Sequence, residues 1–137
     1  MELLVVMGVL AVLAGGVVVI IDPADKINAA NDAKVQNDIG QLASASQSYA
    51  ASQNGFYPAS TAQIVANGDL VRSPSAPTGY SAYTFTAAPG GCTGGSTCTS
   101  VVVTGQLKAK KYLGYATWRY DSTTGVSCPW SGSACKP

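Results

Sequence analysis

The sequence contains no histidine, only seven acidic residues, and charge at just 11% of its 137 positions, where soluble globular chains carry about 25%. No nucleophile, base and orienting residue can be assembled from so sparse a set, so neither catalysis nor a cofactor is expected. Calcium needs a shell of oxygen ligands, and beyond Gly40 the acids are Asp69 and Asp121 alone, so no metal site is expected either. No Asn-x-Ser/Thr triplet occurs to accept a glycan. Aromatic residues make up 8%. Within residues 24–53 the one aromatic is Tyr49, so the helix expected there has no aromatic stripe to conduct electrons.

Hydrophobic residues, in contrast, reach 47%, and they are concentrated at one end. The 19 residues from position 3 to 21 are all Leu, Val, Met, Ala, Ile or Gly. A run of that length approaches the roughly 20 residues a helix needs to cross a bilayer core. A secretory signal has a basic start and a shorter apolar stretch of about 7–15 residues. Here an acid, Glu2, precedes the run and a helical pattern follows Pro23, which predicts a retained segment. Length leaves room for one compact domain and one long appendage. The expected division is residues 1–23 as the hydrophobic segment and 24–137 as the head.

Charge is divided by sign along the chain. Up to Gly40 there are five acids (Glu2, Asp22, Asp25, Asp32, Asp38) against Lys26 and Lys34. Beyond it, six bases (Arg72, Lys108, Lys110, Lys111, Arg119, Lys136) face only two acids. Ordinary solvated surface is the simpler reading, and packing of a basic head near a neighbouring copy's acidic stalk is the sharper one. The four cysteines, Cys92, Cys98, Cys128 and Cys135, lie in Gly/Ser/Thr-rich segments with spacings wider than zinc pairs use. They predict disulfides in an oxidising compartment. Three pairings are open, and the local one, Cys92 with Cys98 and Cys128 with Cys135, is favoured.

From residue 24 to 53 the pattern predicts a continuation of the helix, with Ile27, Val35, Ile39, Leu42, Ala45 and Tyr49 within one arc of about 120°. Asn28, Asn31, Asp38 and Ser46 share that arc, so the head should cover the upper half and leave residues 24–34 more exposed. Residues 3–53 as one rod would measure about 75 Å. Its weak points are Gly15, Gly16, Asp22 and Pro23, where a kink is expected. Gly55 suits the left-handed position after the helix. Ser60-Thr61-Ala62-Gln63 reads as a capping box opening a short helix that stops at Asn67-Gly68. Strands are expected over residues 81–86, 100–107, 115–120 and 126–128. The fold class is α+β: a long N-terminal helix packed against a small antiparallel sheet.

The opening Glu2-Leu3-Leu4-Val5-Val6-Met7-Gly8-Val9-Leu10-Ala11-Val12-Leu13-Ala14 resembles the N-terminal segment of type IV pilins and the related type II secretion pseudopilins. Asn54-Gly55-Phe56-Tyr57-Pro58 is similar to the turn that often leaves the long helix in that family. The resemblance implies a pilin-like fold and a structural subunit, a major pilin, of a type IV pilus-like filament (fimbrium). Its apolar helix would serve as transmembrane anchor in the cytoplasmic membrane and then as the polymerisation helix of a secreted, cell-surface homo-oligomer. It further implies that Glu2 meets the N-terminal amine, here on Met1, of the same or a neighbouring subunit. A prepilin peptidase, N-methylation, an ATPase motor and a platform protein are implied with it. Met1 directly precedes Glu2, without the residues that usually separate the cleavage point from this Glu, and Pro23 falls later than the family's helix-breaking proline. A pseudopilin of a secretion system and a monomeric, membrane-anchored extracellular binding module are the alternatives.

Lys108, Lys110 and Lys111, with Tyr112, Tyr115, Trp118 and Arg119 nearby, form the one cluster that hints at a ligand. Bases among aromatics can hold nucleic-acid phosphates and stack bases. Lysines at a strand connection more often keep a sheet edge soluble, which is the favoured reading.

Overall fold

The rod expected from residue 3 to 53 is two helices, α1 (Glu2–Ile20) and α2 (Pro23–Ser52). The computed structural model describes residues 2–20 and 22–136, with the side chains of residues 17–20 excepted. Met1, assigned above to assembly, and Ile21, the last residue of the apolar run, lie outside the described residues. Asp22 is extended (φ −66°, ψ 95°) and its Oδ1 accepts the backbone N–H of Asp25 at 3.2 Å. Pro23 follows in the first turn, where its missing N–H has no helical partner to lose. The Asp-Pro pair therefore starts α2. Gly15 and Gly16 lie inside α1, so the expected weakness there produces no break.

The head adds α3 (Thr61–Asn67) and strands β1 (Thr84–Ala88), β2 (Ser100–Gln106), β3 (Thr117–Asp121) and β4 (Val126–Trp130). The strands form an antiparallel meander in the order β1-β2-β3-β4. β1 starts three residues later than expected and runs on to Ala88. β2 alternates half-buried and buried positions, so Val101, Val103 and Gly105 face α2. In register, Val103 stands opposite both Phe85 and Tyr120. The core is Val35, Ile39, Leu42 and Ala43 of α2 against Val101, Val103 and Tyr120. Gly105 permits the close approach of helix to sheet: a Cβ there would stand 2.6 Å from Val35 Cγ1 and 3.0 Å from Tyr83 Cδ1.

The helical stripe holds from Val35 to Tyr49, and Ala43, Ser46 and Ala50 are buried beside it. Ile27 departs from the expectation. It is 63% exposed, because the β2–β3 connection that reaches down to Asp25 and Asp22 docks on a different face of α2. At the other end Asn54 (φ 53°) and Gly55 (φ 90°) both take left-handed conformations. The Gly55 N–H closes the helix on the Ala50 carbonyl at 2.8 Å. The reversed chain is then fixed as the Tyr57 N–H donates to the Cys98 carbonyl at 2.8 Å. The expected capping box of α3 is replaced by a bond that reaches one residue past the cap. Ser60 makes no side-chain cap, whereas Gln63 Oε1 accepts the Ala59 N–H at 2.7 Å. Both disulfides follow the local pairing, Cys92–Cys98 and Cys128–Cys135.

The lower part of α2 is not simply exposed, because it carries a fully buried carboxylate. Asp32 is 0% exposed. It accepts the phenol of Tyr80 at 2.8 Å and the backbone N–H groups of Lys108 at 3.0 Å and Ala109 at 2.8 Å. Two turns up, Asp38 accepts the Tyr83 phenol at 2.6 Å and pairs with Lys34 at 2.5 Å. An anion out of water needs such donors, or its desolvation cost of several kcal/mol goes uncompensated. Replacing Asp32 by Ala leaves two amides without an acceptor and the Tyr80 phenol with only the Asn28 carbonyl at 3.2 Å. The expected loss is about 3 kcal/mol of stability, read as a lower urea midpoint by circular dichroism; a loss below about 1 kcal/mol contradicts the role given to Asp32.

Burial first, and then the hydrogen bonds to Asp32 and Asp38, hold the Tyr80 and Tyr83 phenols well above the ordinary tyrosine range. A phenol whose folded pKa is raised stabilises the fold fully below the unfolded value, about 10, and that contribution is lost as pH rises through the folded value. Absorbance titration at alkaline pH should therefore show part of the tyrosine signal appearing late and together with unfolding. In Tyr80→Phe and Tyr83→Phe that late fraction should shrink.

Candidate assembly interface

A helix built from Leu, Val, Ala and Met satisfies its own backbone and leaves its side chains to find a partner. The described side chains of α1 find none on their own chain. Leu3 and Leu4 are each 77% exposed, Val12 76%, and Val5, Val6, Met7, Val9, Leu10 and Leu13 are all more than half exposed. A Cβ added at Gly8, Gly15 or Gly16 would meet nothing within 4 Å. The small size of these three residues is thus not required by the packing of this chain. Among the described residues no helix is long and apolar enough to cross a membrane. The described side chains of α1 end at Gly16, while the apolar sequence runs on to Ile21.

Glu2 occupies the first turn of α1, where a negative charge interacts favourably with the helix dipole. Among the described residues no ion pair reaches it. The other acids of the N-terminal half are engaged within the chain. Asp22 pairs with Lys110 Nζ at 2.5 Å, and Asp25 accepts the Lys110 backbone N–H at 2.7 Å. Asp32 and Asp38 are held by the head as described. One ion pair, Asp22–Lys110, joins the acidic and basic halves within the molecule, whereas Lys34–Asp38 and Arg119–Asp121 each lie inside one half.

That pairing also relocates the lysine cluster. Lys108, Lys110 and Lys111 lie on the β2–β3 connection, which makes one 3-10 turn over Lys110–Tyr112 and docks on the start of α2. Lys108 Nζ donates to the Gly79 carbonyl at 2.5 Å and stands 4.9 Å from the Tyr80 ring centroid. Lys111 stands 4.7 Å from the Tyr112 ring. Arg119 is not part of this group. It bonds Asp121 at 2.6 Å on β3 and lies 4.3 Å from the Trp130 ring, in a separate cavity of about 170 Å³ beside Cys128–Cys135. Among the described residues no cluster of three His, Cys, Asp or Glu side chains could hold a metal ion.

The hydrogen bond from Lys110 holds the Asp22 carboxyl below the usual carboxylate range, and Asp22 in turn raises the Lys110 ammonium. Sequence reasoning missed the roles of Asp22 and Asp32. The signal for Asp22 was present, since Asp followed by Pro is a helix start; none pointed to the amides that reach Asp32 from 76 and 77 positions away. No family model, curated protein or solved structure matches the chain. Removing the Asp22 carboxylate should loosen the connection it ties down: tryptic cleavage after Lys110 or Lys111 at pH 8 is expected to be several-fold faster in Asp22→Ala. Equal rates in the two proteins contradict that tie.

Proposed function

We propose that this chain is a non-enzymatic structural subunit, a major pilin of a type IV pilus-like extracellular filament. In this reading α1 is held in the lipid of the cytoplasmic membrane before assembly and among the α1 helices of other copies afterward, with the α+β heads on the filament surface. The observation that carries it is the exposure of nine large apolar side chains on α1. Burying them fully is worth on the order of 10–20 kcal/mol, comparable to the whole stability of a domain. A segment with that much at stake determines where the protein resides.

The glycines favour copies of the chain over a solitary anchor. A Cβ at Gly8, Gly15 or Gly16 would meet open space within the molecule, and small residues let helix backbones approach closely in an apolar medium. Head-to-tail contacts of that kind build open helical polymers. Glu2 supports the same reading, because its charge at the edge of an apolar surface favours a cationic partner such as a neighbour's N-terminal amine.

Glu2→Ala is expected to leave the chain in the membrane fraction and to reduce its recovery in filaments sheared from cells, seen by electron microscopy and identified by mass spectrometry. Wild-type filament yield from this variant contradicts the proposed role of Glu2. Absence of the wild-type chain from any sheared filament favours the monomeric anchored module instead.

A further inference from the structure

With α1 seated in lipid, the start of α2 stands at headgroup level, and the β2–β3 connection is fastened to that start. We infer that this connection is a landing surface for anionic lipid headgroups, an inference that rests on the lipid-seated reading of α1. Lys110 fixes its place, by Nζ to Asp22 and by its backbone N–H to Asp25. Around it stand Lys108, Lys111 and Lys136, whose ammonium groups face no carboxylate among the described residues. Lys136 Nζ reaches the Lys111 carbonyl at 3.4 Å, which brings the end of the chain onto the same surface. Leu113, 80% exposed, follows in the same loop, and a cavity of about 390 Å³ opens among Lys108, Lys110, Tyr112, Leu113 and Tyr115.

An exposed leucine by itself says little. Flanked by lysines and tyrosines beside an apolar helix, it belongs to a set suited to a membrane surface. Lysine stems and tyrosine rings settle against apolar matter while their polar ends stay wet. Each lysine close to an anionic surface favours contact by about fivefold. Nucleic acid offers phosphates too, but bases need open ring faces on which to stack. Here the Lys111 ammonium stands 4.7 Å from the Tyr112 ring and that of Lys136 5.7 Å from the Tyr115 ring. Each of these rings carries an ammonium over one face, which leaves less ring open to stacking, and headgroup phosphates fit the surface better.

The test uses the full chain carrying Leu113→Trp, with the unsubstituted chain as background for Trp118 and Trp130. It is reconstituted in vesicles of phosphatidylcholine alone or with about a third phosphatidylglycerol, and lipids brominated near the headgroup quench the new fluorophore. Quenching at position 113 is expected to at least double on adding phosphatidylglycerol. In Lys111→Glu/Lys136→Glu it should return to the phosphatidylcholine level, while flotation with both vesicles stays unchanged because α1 supplies it. Lys111→Gln/Lys136→Gln gives the same readout without introducing negative charge. Quenching that ignores phosphatidylglycerol, or survives both lysine variants, overturns the landing surface and leaves the seating of α1 intact. Failure of the chain to float with phosphatidylcholine overturns both. Lysine-dependent, steeply salt-dependent binding of duplex DNA, with no phosphatidylglycerol response, assigns the surface to nucleic acid instead.

Discussion

The carboxylate of Asp32 is the contact on which the head's arrangement turns. It sits on α2 with no exposed surface and is held by a phenol and two backbone amides, without a cation. Hydrogen bonds to an anion are the stronger kind, and they are directional. Three segments distant in sequence therefore have one relative placement: the lower part of α2, the Tyr80 loop, and the start of the β2–β3 connection. Asp38 repeats the device with Tyr83. Between them these two acids fix both ends of residues 80–83, immediately ahead of β1, and so help set where the edge strand begins.

A division of labour between the two helices follows. α2 uses its acids and its Val35-to-Tyr49 stripe to organise the head, and its opposite face is polar. Gln36, Gly40, Ser44 and Ser48 line a shallow groove of about 790 Å³ there with Asp69. Hydrogen bonds from Ser48 and Asn67 hold the Asp69 carboxyl below its usual range. α1 takes no part in any of this. With most of the scarce charge spent inside the head, the N-terminal segment is left with Glu2 and an apolar surface.

Much of the fold was legible because periodicity and punctuation are local signals. The α2 stripe, the Asn54-Gly55 reversal, the stop at Gly68 and the four strands could all be read from neighbours within a few residues. Ile27 could not, because its exposure depends on which face of α2 the β2–β3 connection docks against. The start of β1 at Thr84 rather than residue 81 is of the same kind, since Tyr80 and Tyr83 are taken by acids on α2. The interruption at Asp22-Pro23 was legible as a weak point, but not that the same pair caps and starts the second helix. The lysine cluster was correctly located in a strand connection, but its attachment to Asp22 and Asp25 spans more than 80 positions and left no local trace. The α1 surface was the most legible feature, since nothing in the head alters it.

The order of these contacts along the chain has a kinetic side. A meander pairs each strand with the one before it, so the sheet is assembled from short-range contacts that close quickly. The helix that the sheet must cover is synthesised first, and the buried carboxylate has no amide partner until the chain has grown 76 residues beyond it. The Val35–Leu42 stripe likewise has no sheet to cover it until Val101 and Val103 are present. Closing so long a loop adds only a slowly growing entropic cost. The head is thus poised to complete its fold only when nearly all of the chain is available, long after the apolar segment has had to find its own surroundings.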